Sequence, residues 1–314
     1  MLNKKLQQVS VNLFFSLLST LYFLLPNAEA GADTAADFLK LGIGARASAL
    51  GEAFCAVADS VDAIYYNPAG LARLKQKEVC AMYGDKREDT ARTSLVYAQP
   101  LQEWEAGGVL GIGIIYQDLG EIELRDKSNQ PQGSINPAEF AVIFSYAKKY
   151  YENLLLGGNV KYIQRELKKI KAKGAAFDLG LLYFPQIPKS LNLSGTGLTT
   201  GLCLENIGSK IKGDELPLNL RLGVAYSALN NLTCSLDVNQ HLYNSDLCWN
   251  LGLEYRYSLL AVRLGYFDKG RQIKGLSYGF GIKYLGYQLD FANLASGEME
   301  DAEDMNRISL SVSW

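Results

Sequence analysis

Over most of the chain, apolar and polar residues alternate one for one. Leu276, Tyr278, Phe280, Ile282 and Tyr284 interleave with Ser277, Gly279, Gly281 and Lys283. After Leu285-Gly286, Tyr287, Leu289 and Phe291 interleave with Gln288, Asp290 and Ala292. Leu218, Leu220, Leu222, Val224 and Tyr226 do so upstream. Asn230-Asn231 then predicts a hairpin turn into Leu232, Cys234, Leu236 and Val238. Trp249, Leu251, Leu253, Tyr255 and Tyr257 face away from Asn250, Gly252, Glu254 and Arg256. Successive strand side chains point to opposite faces, so each run predicts an amphipathic strand. Weaker alternation runs through residues 110–116, 140–146, 154–162 and 177–183. Together the runs predict about fourteen strands of roughly 8 to 13 residues, close to the ~9–11 that a tilted strand needs to cross a bilayer. An even count lets both ends of the sheet lie on one side, as in outer-membrane barrels.

The connections support that reading. With a first strand starting near Lys77, turns after even-numbered strands are mostly short: residues 101–105, 149–151, 229–231, 258 and 285–286. Those after odd-numbered strands are longer and polar: residues 118–136, 168–173, 208–215, 268–274 and 295–304. Short periplasmic turns alternating with long outer loops are the outer-membrane pattern. Residues 185–193 break the rule, being long where a short turn is due. The closing run Ile308, Leu310, Val312 and Trp314, alternating with Ser309, Ser311 and Ser313, looks like the terminal strand that barrel-assembly machinery recognises. The fold class expected is all-β, a transmembrane antiparallel β-barrel of about 14 strands with a small amino-terminal plug, or hatch.

Inward charge is sparse, at about one per strand: Lys161, Asp178, Glu205, Arg221, Asp237, Glu254, Arg256, Arg263, Lys283 and Asp290. Other inward positions are apolar, among them Val109, Ile115, Ile143 and Leu182. A wide aqueous pore would line its lumen more evenly with charge, so a narrow or plugged lumen is expected.

The first 76 residues do not alternate. Lys4 and Lys5 precede an apolar run over residues 11–25, then Pro26 and Ala28-Glu29-Ala30. That is the layout of a secretory signal peptide over residues 1–30, cleaved after Ala30. A transmembrane helix would need roughly 20 apolar residues. Residues 31–76 are then read as the plug and residues 77–314 as the barrel. Small residues dominate the plug, so it can fit a confined space. Gly42-Ile43-Gly44-Ala45-Arg46-Ala47 matches a dinucleotide-binding spacing, but no strand precedes it, so no nucleotide is expected. Asn67-Pro68 favours a turn, and Gly70 can take a positive φ. The plug and gating candidates are Gly42, Gly44, Arg46, Gly51, Asp59, Asn67, Pro68, Ala69 and Gly70. A charge buried in a barrel mouth needs a partner, so Arg46 should meet an inward carboxylate such as Asp59 or Glu254.

Composition narrows the function. Hydrophobic residues at 48% and charged residues at 20% exclude a disordered chain. A net charge of −2 leaves no electrostatic footprint for nucleic acid. A single His, His241, argues against a hydrolase. The five Cys lie far apart without C-x-x-C spacing and read as small apolar fillers. No cofactor and no metal are expected.

The string from Phe38 to Ala72, with its Gly42-x-Gly44-Ala45-Arg46-Ala47 opening, Asp59, and Asn67-Pro68-Ala69-Gly70-Leu71-Ala72 close, resembles the PorV/PorQ family. That family belongs with the FadL-type long-chain fatty-acid transporters of the bacterial outer membrane. The resemblance covers about 35 residues closely and the rest in layout. It implies a monomeric barrel with an amino-terminal hatch and no catalytic residues. The leading function is passive uptake of a fatty-acid-like hydrophobic small molecule, in contact with outer-membrane lipid. The alternative is a PorV-like scaffold serving protein secretion or surface attachment, with secretion-system proteins as partners. For that role the basic loop of Lys168, Lys169, Lys171 and Lys173 and the acidic loop of Glu298, Glu300, Asp301, Glu303 and Asp304 are the candidate contacts.

Overall fold

In the computed structural model the described residues are 34–86, 90–101, 107–167, 170–185, 195–228, 231–243, 247–270, 274–296 and 305–314. The signal-peptide residues, Lys168, Lys169 and the whole acidic cluster lie outside them. The described residues form sixteen strands in chain order: β1 Glu78–Lys86, β2 Thr90–Pro100, β3 Val109–Asp118, β4 Ile122–Arg125, β5 Pro131–Ile135, β6 Ala138–Tyr151, β7 Leu154–Leu167 and β8 Ile170–Tyr183. They continue as β9 Gly195–Gly208, β10 Asn219–Ala228, β11 Leu232–His241, β12 Leu247–Tyr257, β13 Leu260–Asp268, β14 Lys274–Tyr284, β15 Tyr287–Ser296 and β16 Met305–Ser313. Fourteen of them close into one antiparallel barrel in the order β1-β16-β15-β14-β13-β12-β11-β10-β9-β8-β7-β6-β3-β2. Closure removes every exposed edge, the requirement for a sheet in lipid.

The seam shows the physical logic. Val79 stands opposite Val312 and Tyr83 opposite Ile308, while Lys77 and Trp314 exchange two backbone hydrogen bonds of 3.1 Å at the rim. Parity sorts the side chains: on β12, Trp249, Leu251, Leu253 and Tyr255 are exposed on the outer wall, whereas Asn250 and Glu254 are buried inside. Among the described residues no helix is long and apolar enough to cross a membrane.

The structure corrects four details. Residues 118–136 are not plain loop: β4 and β5 pair as a separate two-stranded sheet, Ile122 opposite Ile135. Residues 168–173 are not a long loop either. β7 and β8 pair up to Leu167 and Ile170, so Lys171 and Lys173 belong to a strand. β6 runs through Tyr151, where a turn was expected; its alternation stops at Ala147, but pairing with β7 continues through a register shift to Tyr151 opposite Leu154. Finally, Cys234 is exposed on the outer wall, while Cys55, Cys80, Cys203 and Cys248 are buried as expected. The predicted turns at Ser258 and at Leu285-Gly286 do stand, with φ of 54°, 47° and 86°.

Candidate functional site

The described residues before β1, 34–77, line the inner wall of the barrel. They form a 3₁₀ turn, Asp37–Lys40, a helical turn, Ala45–Ala49, another, Ala63–Tyr66, and a second 3₁₀ helix, Pro68–Arg73. Small side chains let this segment touch the sheet closely. A methyl group added at Gly157 would lie 2.5 Å from the Ala69 nitrogen, and one at Gly180 would lie 2.8 Å from Pro68 Cδ. A methyl group at Gly265 would lie 2.2 Å from the Gly51 nitrogen. Small residues therefore occur on both sides of the contact.

A buried irregular segment must find partners for its own backbone. Inward strand residues supply them. Asp237 of β11 accepts from the backbone N–H groups of Phe54 and Cys55, both at 2.9 Å. Ser309 of β16 accepts from Ala45 at 3.2 Å and Ser277 of β14 from Gly51 at 2.9 Å. Asn159 of β7 donates to the Ile64 carbonyl at 2.8 Å. Of these, Asp237 was named from the sequence as an inward charge; Ser309, Ser277 and Asn159 were marked by parity alone.

Asn67, Pro68, Ala69 and Gly70 form a corner. Pro68 opens the second 3₁₀ helix, and the Asn67 Oδ1 accepts from the Ala69 N–H at 3.2 Å. The Asn67 amide donates to the carbonyls of Leu181 at 3.0 Å and Cys55 at 3.1 Å, tying the corner to β8 and to the segment itself. Gly70 needs space rather than a positive φ, correcting the expectation: an added methyl would lie 2.3 Å from the Ala58 carbonyl oxygen. Gly44 and Gly51 do take left-handed values, φ 75° and 64°. Gly42 faces the Tyr66 hydroxyl and the Glu52 carboxyl, either of which an added methyl would strike.

Arg46 is the electrostatic centre. Its Nε and Nη2 donate to the two carboxylate oxygens of Glu254 on β12 at 2.9 and 3.0 Å, and Nη1 to Asp59 at 2.5 Å. Arg263 and Arg256 also reach Glu254, at 2.6 and 2.5 Å, and Arg263 reaches Asp290 at 2.8 Å. Burial raises the Asp59 carboxyl, but Arg46 and Arg73 together hold it down at about 2. A second group joins Arg221 to Glu205 at 2.9 Å and a third joins Lys161 to Asp178 at 2.8 Å. Both of the carboxylates named from sequence for Arg46 are thus in contact with it.

Asp62 was not foreseen. It is buried beside Glu78 and Asp290, and its Oδ1 has no hydrogen-bond partner. Burial, then Glu78 and Asp290, push its carboxyl up to about 7, against the opposing pull of Arg46 and Cys80.

On the outer wall a notch of about 340 Å³ lies over β6, β7 and β8, with Phe144, Tyr146, Gly158, Val160, Phe177 and Leu179 among its lining. Beside it the β8–β9 ladder slips: Phe177 opposes Ile207 but Leu179 opposes Leu204, and Asn206 adopts φ 62°. The bulge leaves Asp178 facing Asn206, whose N–H it accepts at 2.8 Å.

The sequence model of a family described as type IX secretion system protein PorV matches residues 27–247. The chain belongs to that family. No curated protein matches it in sequence. The PorV-family barrel is similar in structure to the Ralstonia pickettii toluene transporter TbuX, with a TM-score of 0.64 at 13% identity, over 87% of this chain and 98% of that one. It is likewise similar to the Pseudomonas putida toluene transporter TodX, with 0.61 at 14% identity over 87% and 97%. A Pseudomonas aeruginosa FadL homologue follows, with 0.51 at 10% identity over 84% and 97%. At these identities the likeness is one of fold, which is therefore the FadL type.

Proposed function

We propose that this PorV-family chain is an outer-membrane barrel for passive uptake of a hydrophobic small molecule, with residues 31–76 as its hatch. The long-loop rim then faces outward and residues 1–30 are the removed signal. The exposed apolar wall contacts outer-membrane lipid. Ile308, Leu310, Val312 and Trp314 present the closing strand to the assembly machinery; Ile308, Leu310 and Trp314 are exposed on the wall or rim.

The observation that carries the reading is the notch beside the β8–β9 bulge. A lumen crossed by buried ion pairs is a poor path for an apolar molecule, because its polar groups would lose partners. An apolar notch where the ladder slips is where such a molecule meets the wall at least cost. Gly42, Gly44, Arg46, Gly51, Asp59, Asn67, Pro68, Ala69 and Gly70 hold the hatch in register with that wall. The test is uptake of a radiolabelled long-chain fatty acid by cells bearing the protein, against Gly158→Trp, which fills the notch from the lipid side. Loss of uptake in a folded variant supports the reading. Uptake by the folded variant equal to that by the wild type, or wild-type uptake no greater than that of cells lacking the protein, defeats it.

The family match favours a second reading, a scaffold for secretion-system proteins. Its partners would contact the long-loop rim, where the β4–β5 hairpin exposes Ile122 and an Arg125–Glu123 pair of 2.8 Å. Cross-linking at that hairpin in whole cells distinguishes the two.

A further inference from the structure

Among the described residues, the buried cations of the lumen meet carboxylates except at one place. Arg92, the third residue of β2, and Arg307, the third residue of β16, both stand opposite Gly84 of β1. With no side chain at Gly84, the two arginines flank a gap in the wall. Lys269, just past the end of β13, completes the group. Arg92, Arg307 and Glu52 are buried and Lys269 is partly so; Glu52 meets Lys269 at 2.8 Å and Arg307 at 3.3 Å. Among the described residues Arg92 has no carboxylate partner: it donates to Gln117 Oε1 at 3.3 Å and to the Leu41 carbonyl, and its Nε has no acceptor. Among the described residues Glu52 is the one carboxylate that these cations share.

Three cations around one carboxylate leave two positive charges out of water. An uncompensated buried charge is costly, so the arrangement calls for an anion. Two guanidiniums present forked donors that match tetrahedral oxyanions. A dianion would balance the excess, whereas a single carboxylate would leave one charge unmatched. We propose that Arg92, Arg307 and Lys269 form a binding site for a phosphate-type oxyanion at the long-loop mouth of the barrel. The site does not depend on the uptake reading. Glu52 competes with the ligand for Lys269 and Arg307, and it sets the affinity.

The full chain in an uncharged detergent at low ionic strength, at pH about 8 where a phosphate monoester is a dianion, tests this. Two probes are titrated with calorimetry and phosphorus NMR: inorganic phosphate and a short-chain phosphatidate, with chloride at matched ionic strength as control. Binding of inorganic phosphate assigns the site to the free ion; binding of the phosphatidate alone assigns it to a lipid headgroup. Arg92→Gln should weaken binding about tenfold or more. Glu52→Gln should tighten it, a change that misfolding cannot mimic. Heat-dependent gel mobility checks the fold of each variant. Saturation by neither probe, or affinities that neither variant moves, overturns the proposal.

Discussion

Arg46, in the segment inside the barrel, and Glu254, on β12, are joined by two parallel hydrogen bonds of 2.9 and 3.0 Å although 208 positions separate them in sequence. Glu254 is completely buried and Arg46 nearly so. Breaking one side of such a pair costs about 3–5 kcal/mol because a charge is stranded. Here Arg263 and Arg256 remain on Glu254, which puts the cost of Arg46→Ala at the lower end. The expected outcome is a loosened segment and raised single-channel conductance in planar bilayers. Unchanged conductance in a correctly folded Arg46→Ala would remove the gating role from Arg46.

Gly51 combines a φ of 64° with carbonyl oxygens of Tyr266 and Leu251 at 2.2 and 2.6 Å from where a Cβ would stand. Gly51→Ala meets both strain and backbone that cannot yield. A cost of about 1–3 kcal/mol or more is expected. Heat-dependent gel mobility should show the folded form lost at a lower temperature. Gly133, on β5 outside the barrel, has a φ of 104° but open space around it, so Gly133→Ala carries the backbone strain without the clash and should leave that temperature less changed.

The Asn67 side chain is hydrogen-bonded to backbone groups of Leu181, Cys55 and Ala69. Asn67→Ala leaves buried backbone groups without partners, at about 1–3 kcal/mol for each. Asn67→Asp should be worse, since a carboxylate would face the Leu181 and Cys55 carbonyls where an amide now donates. Urea midpoints of the three proteins should fall in the order wild type, Ala, Asp. An Asp variant as stable as the wild type would contradict the donor role.

Asp62 confers a pH dependence. Its carboxyl stands at about 7 in the fold, against ~3.9 in an unfolded chain. The fold favours the protonated form, so this contribution to stability is complete below about pH 4 and is lost as pH rises through about 7. Glu78 and Asp290 face it with like charge, while Arg46 opposes them. The unfolding midpoint should therefore fall between about pH 5 and pH 8 in the wild type. Asp62→Asn should flatten that fall. An equally steep decline in the variant would assign the effect to another group.

Strand existence, parity and number were legible in the sequence because each is a local property. A period of two decides which face of a residue meets lipid, and that alone placed Trp249 and Leu251 outside and Asn250 and Glu254 inside. The partners proposed for Arg46 followed from parity plus the rule that buried charges pair. The β4–β5 hairpin and the short β7–β8 connection were not legible, because polar residues carry little alternation to mark a strand outside the membrane. Which wall residue meets which residue of the inner segment was not legible either. Asp237 beneath Phe54, Gly265 against Gly51, and Arg92 beside Arg307 across Gly84 depend on barrel closure and strand register. Closure brings the second strand within one strand of the last, and no local pattern encodes that distance. The sequence by itself determined a sheet with one apolar face; only the closed tertiary structure decided how its polar face meets the segment it encloses.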